Sequence, residues 1–146
     1  MKKLALAALL LATSLSASAQ FRLPNLGGIK LPGGSIVNVA SIHAVETSPL
    51  VAPYAAAKAA MLSLTRSSSL EGKPKGIRTN VVLPGAIDTP MLWDNPNVKS
   101  GVEVIDKADV GKPEDVAAII AYLASDDAAF VQGAEVRVDG GRLDRL

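Results

Sequence analysis

The sequence predicts an α/β domain built on a short parallel sheet of about three strands. Two observations carry this. Short segments of strand character alternate with longer segments of helical character, which is the pattern of strand–helix–strand crossovers. The first of them, Ser35–Ala40 (SIVNVA), is nearly continuous in apolar and β-branched residues. Such a run suits a strand covered on both faces, as parallel strands are.

Each element has its own local reason. A helix is expected from Pro53, acceptable in a first turn that needs no backbone N–H, to about Leu70. Its first half is rich in alanine; Gly72 ends it and Pro74 prevents its continuation. Residues 77–83 (IRTNVVL) form a second strand, broken by Pro84-Gly85. Residues 86–112 read as a long loop with a short helix near Pro90–Trp93. Pro113 opens another helix (PEDVAAIIAYLAS), whose Glu114 and Asp115 complement the helix dipole. Val116, Ile119, Ile120 and Leu123 give it one apolar stripe. Residues 134–138 alternate as a half-exposed strand does, and Asp139-Gly140-Gly141 turns the chain.

Composition narrows the function. Of 146 residues 49% are apolar and 20% charged, too apolar for a disordered chain. Lys+Arg 15 against Asp+Glu 14 leaves a net charge of +1, with no basic run. Aromatic residues are 3% of the chain, so no nucleic-acid surface is expected. There is no cysteine, hence no disulfide and no thiol nucleophile. One histidine, His43, cannot by itself make a multi-histidine metal site, and no metal is expected.

The first nineteen residues read as a signal peptide. Met1-Lys2-Lys3 is basic, Leu4–Ala12 is wholly apolar, and Ala17 and Ala19 frame a small-residue cleavage site. This predicts an exported or periplasmic protein with no membrane attachment after cleavage. A misjoined reading frame would instead leave it cytoplasmic. Residues 20–34, with two prolines and four glycines, read as a linker, and 35–146 as the functional domain.

In open parallel sheets, ligands bind beyond the carboxyl ends of the strands. Ser41 lies directly after the first strand. Tyr54 and Lys58 lie four apart near the start of the alanine-rich helix, hence on one face. A free phenol, with a pKa near about 10, is a poor base at neutral pH, and a nearby ammonium favours its ionised form. The three residues together make a proton-transfer site. Ser41 would hold a substrate oxygen, Tyr54 would pass the proton, and Lys58 would tune Tyr54.

Five blocks in order extend this reading: GGSIVNVAS, YAAAK, RTNVVLPGAIDTPM, PEDVAAIIAYLASDD and VDGG. Their order and spacing, from about Gly33 to Gly141, closely resemble the C-terminal half of the classical short-chain dehydrogenases/reductases. The resemblance implies a Rossmann-like, doubly wound parallel sheet. It also implies interconversion of a small-molecule alcohol and carbonyl by hydride transfer with NAD or NADP. Tyr54 would be the acid/base and Ser41 would contact the substrate oxygen. Lys58 would bind the nicotinamide ribose and lower the Tyr54 pKa. Pro84, Gly85, Ile87 and Thr89 would border the cofactor, and residues 90–110 would form the mobile substrate loop. The 53–70 helix would serve a homo-oligomer. The family's first half, with the glycine-rich turn that holds the pyrophosphate, has no counterpart in the sequence. Independent turnover is therefore not expected. A non-catalytic exported binding module, or a truncated or fused frame without activity, is the alternative.

Overall fold

The computed structural model describes residues 33–142. The signal-like segment 1–19 and nearly all of the 20–34 linker lie outside the described residues.

Three strands form one parallel sheet, in the order β1 (Ser35–Val39), β2 (Arg78–Pro84), β3 (Glu135–Val138). The expected α/β class and strand number hold, with each strand boundary within about one residue. Helix α1 (Ala52–Gly72) connects β1 to β2. Between β2 and β3 run α2 (Pro90–Trp93), α3 (Pro96–Lys99) and α4 (Pro113–Ala124). The segment read as a loop therefore holds one helix more than expected. Pro96 begins it, and the Asn95 side chain caps it by accepting from Asn97 N at 2.9 Å.

The two long helices cover opposite faces of the sheet. Asn38 Nδ2 on β1 donates to Thr65 Oγ1 on α1 at 2.8 Å. On the other face Ser35 Oγ donates to Leu123 O of α4 at 2.9 Å. Register pairs Ser35 with Arg78, and Arg78 reaches the same helix end. Its guanidinium donates to Leu123 O at 2.7 Å and Ser125 O at 2.8 Å. A cation on the free carbonyls of a helix C-terminus opposes the negative end of the dipole. Helix α4 has no basic residue in its own last turn, so β2 supplies the charge instead.

The core lies on central strand β2. Val81, Val82 and Leu83 are fully enclosed, and Val81 and Leu83 pack with Ala40, Ile42 and Leu62 on the α1 side. Leu123 is the buried end of the α4 stripe, with Val116, Ile119 and Ile120 half-buried. Asn80 is also fully buried on β2. Its amide donates to Val131 O at 3.0 Å and accepts from Ala134 N at 2.9 Å, which ties the entry of β3 to the sheet. At the edge, β1 leaves Ile36 and Val39 more than two-fifths exposed, as expected of an uncovered apolar strand.

Two residues of the run Arg66–Ser69, which reads as a solvated helix end, reach β3 and the segment leading into it. Ser69 is buried, and its carbonyl accepts from Gln132 Nε2. Arg66 Nη1 pairs with Glu135 Oε1 at 2.7 Å. Helix periodicity shows which residues share a face but not what the fold brings against it.

Candidate active site

The site residues gather at the carboxyl ends of β1 and β2. Ala40 N extends the ladder past β1 by donating to Val82 O at 2.8 Å. This fixes the backbone that carries Ser41. The chain then turns into a short 3₁₀ segment, Ile42–Ala44, anchored by the buried Ile42. Ser41 caps that turn. Its Oγ accepts from His43 N at 3.2 Å, and its carbonyl accepts from Ala44 N at 3.0 Å.

Tyr54 stands in the first turn of α1, nearly half exposed. Lys58, one turn on, places Nζ 5.7 Å from the centre of the Tyr54 ring. The same Nζ donates to Val39 O, the last residue of β1, at 3.1 Å. The expected pairing of Tyr54 and Lys58 is thus present, and the strand-end carbonyl fixes the lysine. That carbonyl could not be read from the sequence, since only tertiary packing brings α1 over the end of β1.

From the sequence, His43, two residues beyond Ser41, reads either as lining the mouth of the site or as a loop histidine with no role. Its ring meets the Tyr54 ring edge-on, with centroids 5.8 Å apart and planes at 77°. It joins the two sides of the site, through its backbone to Ser41 and through its ring to Tyr54. His43 also lines a cavity of about 340 Å³, together with Glu46, Thr47 and the α1 alanines 52, 55, 56 and 59.

The β2 exit is a compact turn. Gly85 N donates to Val138 O at 2.9 Å. A Cβ on Gly85 would stand 2.9 Å from both Cα and Cβ of Asp139, so a side chain is excluded by the neighbouring strand end. Gly85→Ala is expected to lose about 1–3 kcal/mol of stability, because backbone must move; urea unfolding checks this. Ile87 bridges Gly111 in parallel fashion, and Thr89 Oγ1 donates back to Ile87 O at 3.2 Å. Pro84, Gly85, Ile87 and Thr89 thus lie together on one turn beside the β3 end. Beyond it Trp93 Nε1 donates to Asp88 Oδ1 at 2.7 Å. These two residues line a second cavity, of about 470 Å³, with Lys107, Val110 and Lys112.

A lysine held beside an exposed phenol, with a buried serine at the neighbouring strand end, brings together the residue types that proton transfer to or from a bound oxygen requires. Known proteins agree with the fold and with the order of the motifs. The family model described as enoyl-(acyl carrier protein) reductase matches residues 4–142. The 3beta-hydroxysteroid dehydrogenase 1 of Eggerthella lenta is 43% identical over 116 residues, which is 77% of this chain and 44% of that protein. The structure of Thermoplasma acidophilum aldohexose dehydrogenase superposes with a TM-score of 0.72 at 32% identity, over 80% of this chain and 51% of that one. ElxO with NADP bound gives 0.65 at 34% identity, over 76% and 47%. The chain spans about half the length of these relatives. A parallel sheet whose strand ends carry these motifs in this order, matched by the family model across nearly all its residues, places the chain in the short-chain dehydrogenase/reductase family.

Proposed function

We propose that this chain carries the proton-transfer site of an NAD(P)-dependent oxidoreductase that interconverts a small alcohol and its carbonyl compound. The observation that carries the reading is the linked cluster Ser41–His43–Tyr54–Lys58 at the end of β1. When bound, the nicotinamide cofactor would supply or accept the hydride at the substrate carbon. The Tyr54 phenol gives its proton to the carbonyl oxygen in reduction and takes it back in oxidation. The His43 N–H occupies an acceptor position of Ser41 Oγ. The Ser41 hydroxyl keeps its own proton to donate to the same substrate oxygen. Lys58 commits one N–H to Val39 O, which fixes its ammonium beside Tyr54 and leaves its other donors for ribose hydroxyls.

The Lys58 donors and the Pro84–Thr89 turn suit the nicotinamide end of such a cofactor. Its pyrophosphate is held, in this reading, by protein outside residues 33–142. Within them no glycine-rich turn leads from a strand into a helix. A homo-oligomer through α1 belongs to the same proposal, supported by its exposed Ala56, Ala57, Ala59 and Ala60, which permit close helix approach.

The test is turnover of small ketones, followed by loss of reduced-cofactor absorbance. The N-terminal half of a family member is added where the chain needs it. Lys58→Ala is expected to lower the rate by about 10²-fold. An unchanged rate overturns the assignment.

A further inference from the structure

We infer that Arg142 is a positioning residue, one that holds the loop between α2 and α4 with a glutamate turned inward and two valines turned outward. The consequence for substrate rests on the oxidoreductase reading; the arrangement itself does not.

The loop is inverted at residues 102–104. Val102 and Val104 are 56% and 85% exposed. The side chain of Glu103, between them, is 13% exposed. Burial favours the reverse, with apolar side chains inside and a carboxylate in water. Arg142 accounts for the difference. Its Nη2 stands 3.4 Å from Glu103 Oε1, and its own side chain is 25% exposed. The shielded carboxylate is thus matched by a cation nearly as shielded. A carboxylate enclosed without such a partner is strongly disfavoured.

Backbone anchors both sides of the pair. On the loop, Glu103 N donates to Asn97 O of α3 at 2.9 Å. After β3, Arg142 N donates to Asp139 O at 3.2 Å, and Gly141 N donates to Asp139 Oδ1 at 3.1 Å. Gly140 and Gly141 have φ of 65° and 80°, a backbone that glycine adopts freely and that turns the chain between Asp139 and Arg142. Asp139 is also the residue that Gly85 packs against. The Asp139–Arg142 turn therefore lies against the Pro84–Thr89 turn at one end and grips the loop at the other.

Without the guanidinium the balance reverses. Glu103 turns out to water, and Val102 and Val104 turn in. Among the described residues Arg142 meets Glu103 and Asp139 and none of the Ser41–His43–Tyr54–Lys58 cluster, so it acts through the loop. In the oxidoreductase reading that loop borders the substrate, and the effect of losing Arg142 falls on substrate binding.

Nuclear magnetic resonance on the methyl-labelled full chain tests this, with a soluble nitroxide that broadens the signals of methyl groups open to water. Val102 and Val104 are expected to broaden in the unaltered chain, and protected signals there overturn the proposal. Arg142→Met keeps an unbranched stem and removes the charge. In it the broadening of both valines is expected to be lost, and amide exchange at Glu103 to rise about tenfold, the worth of one charged hydrogen bond. Exchange in β2 is expected to stay as it was. The swapped pair, Glu103→Arg with Arg142→Glu, is expected to restore the broadening. Continued broadening in Arg142→Met, a rise in exchange shared by β2, or a swap that restores nothing overturns the proposal. With the N-terminal half of a family member added, Arg142→Met is expected to raise KM for small ketones about tenfold at unchanged kcat. A fall in kcat alone overturns the link to substrate binding. No turnover by the unaltered chain overturns the oxidoreductase reading, and the nitroxide result then decides the role of Arg142 by itself.

Discussion

Tyr54→Phe is expected to lower alcohol–carbonyl turnover by about 10²–10⁴-fold, the usual contribution of a positioned acid/base. The change removes one oxygen and keeps the ring. The edge contact with His43 and the stacking of Lys58 over the ring use only carbon atoms of Tyr54, so both survive. Lys58 also keeps its bond to Val39 O. Folding should therefore be unchanged, which circular dichroism and urea unfolding check alongside the rate. The loss should fall in kcat, with KM little altered, because the proton is needed in the transition state more than in binding. A variant that retains a tenth or more of the rate would assign the proton to another group. Ser41→Ala in the same assay separates orientation from proton transfer, since the hydroxyl is proposed to hold the oxygen and not to protonate it.

Asn80→Ala should produce the largest loss of stability, about 2–5 kcal/mol. Asn80 is fully buried, and both ends of its amide are used. Removing them leaves the half-buried Val131 carbonyl and Ala134 N–H without that partner, each at about 1–3 kcal/mol. A domain has only about 5–15 kcal/mol in all. The Val131–Ala134 segment leads into β3, so the loss should appear first there. Amide hydrogen exchange should rise across 131–138 before it rises in α1. Arg66→Ala, which breaks the Arg66–Glu135 pair of the same region, should cost under about 1 kcal/mol, because the pair is largely exposed to solvent. The contrast between the two variants measures how far burial, and not charge, secures the third strand.

Much of the fold was legible because local rules and tertiary packing agree. The SIVNV strand, the helix opened by Pro53 and closed by Gly72, and the helix opened by Pro113 all lie where patterning puts them. Their punctuation is covalent in origin, from prolines without N–H and glycines without side chains. Within 86–112 the pattern was weaker, and Pro96–Lys99 went unread as a helix. Four residues are too few for periodicity to register. Arg66–Ser69 reads as a solvated helix end, and Arg66 and Ser67 are exposed, but the Arg66–Glu135 pair and the Gln132 contact to the Ser69 carbonyl went unread because a helix pattern contains no information about distant partners.

The sequence by itself determined the α/β class, the strand order in time, and the pairing of Tyr54 with Lys58. Spacing of four residues on a helix is a local fact, fixed by 3.6 residues per turn. Tertiary structure alone decided that Lys58 would be anchored on Val39 O, that His43 would wall Tyr54, and that Arg78 would cap α4. Each joins groups 11 or more residues apart in the chain. Such contacts form only when strands pair and helices are laid over them, so they follow from the packed sheet and from no local pattern.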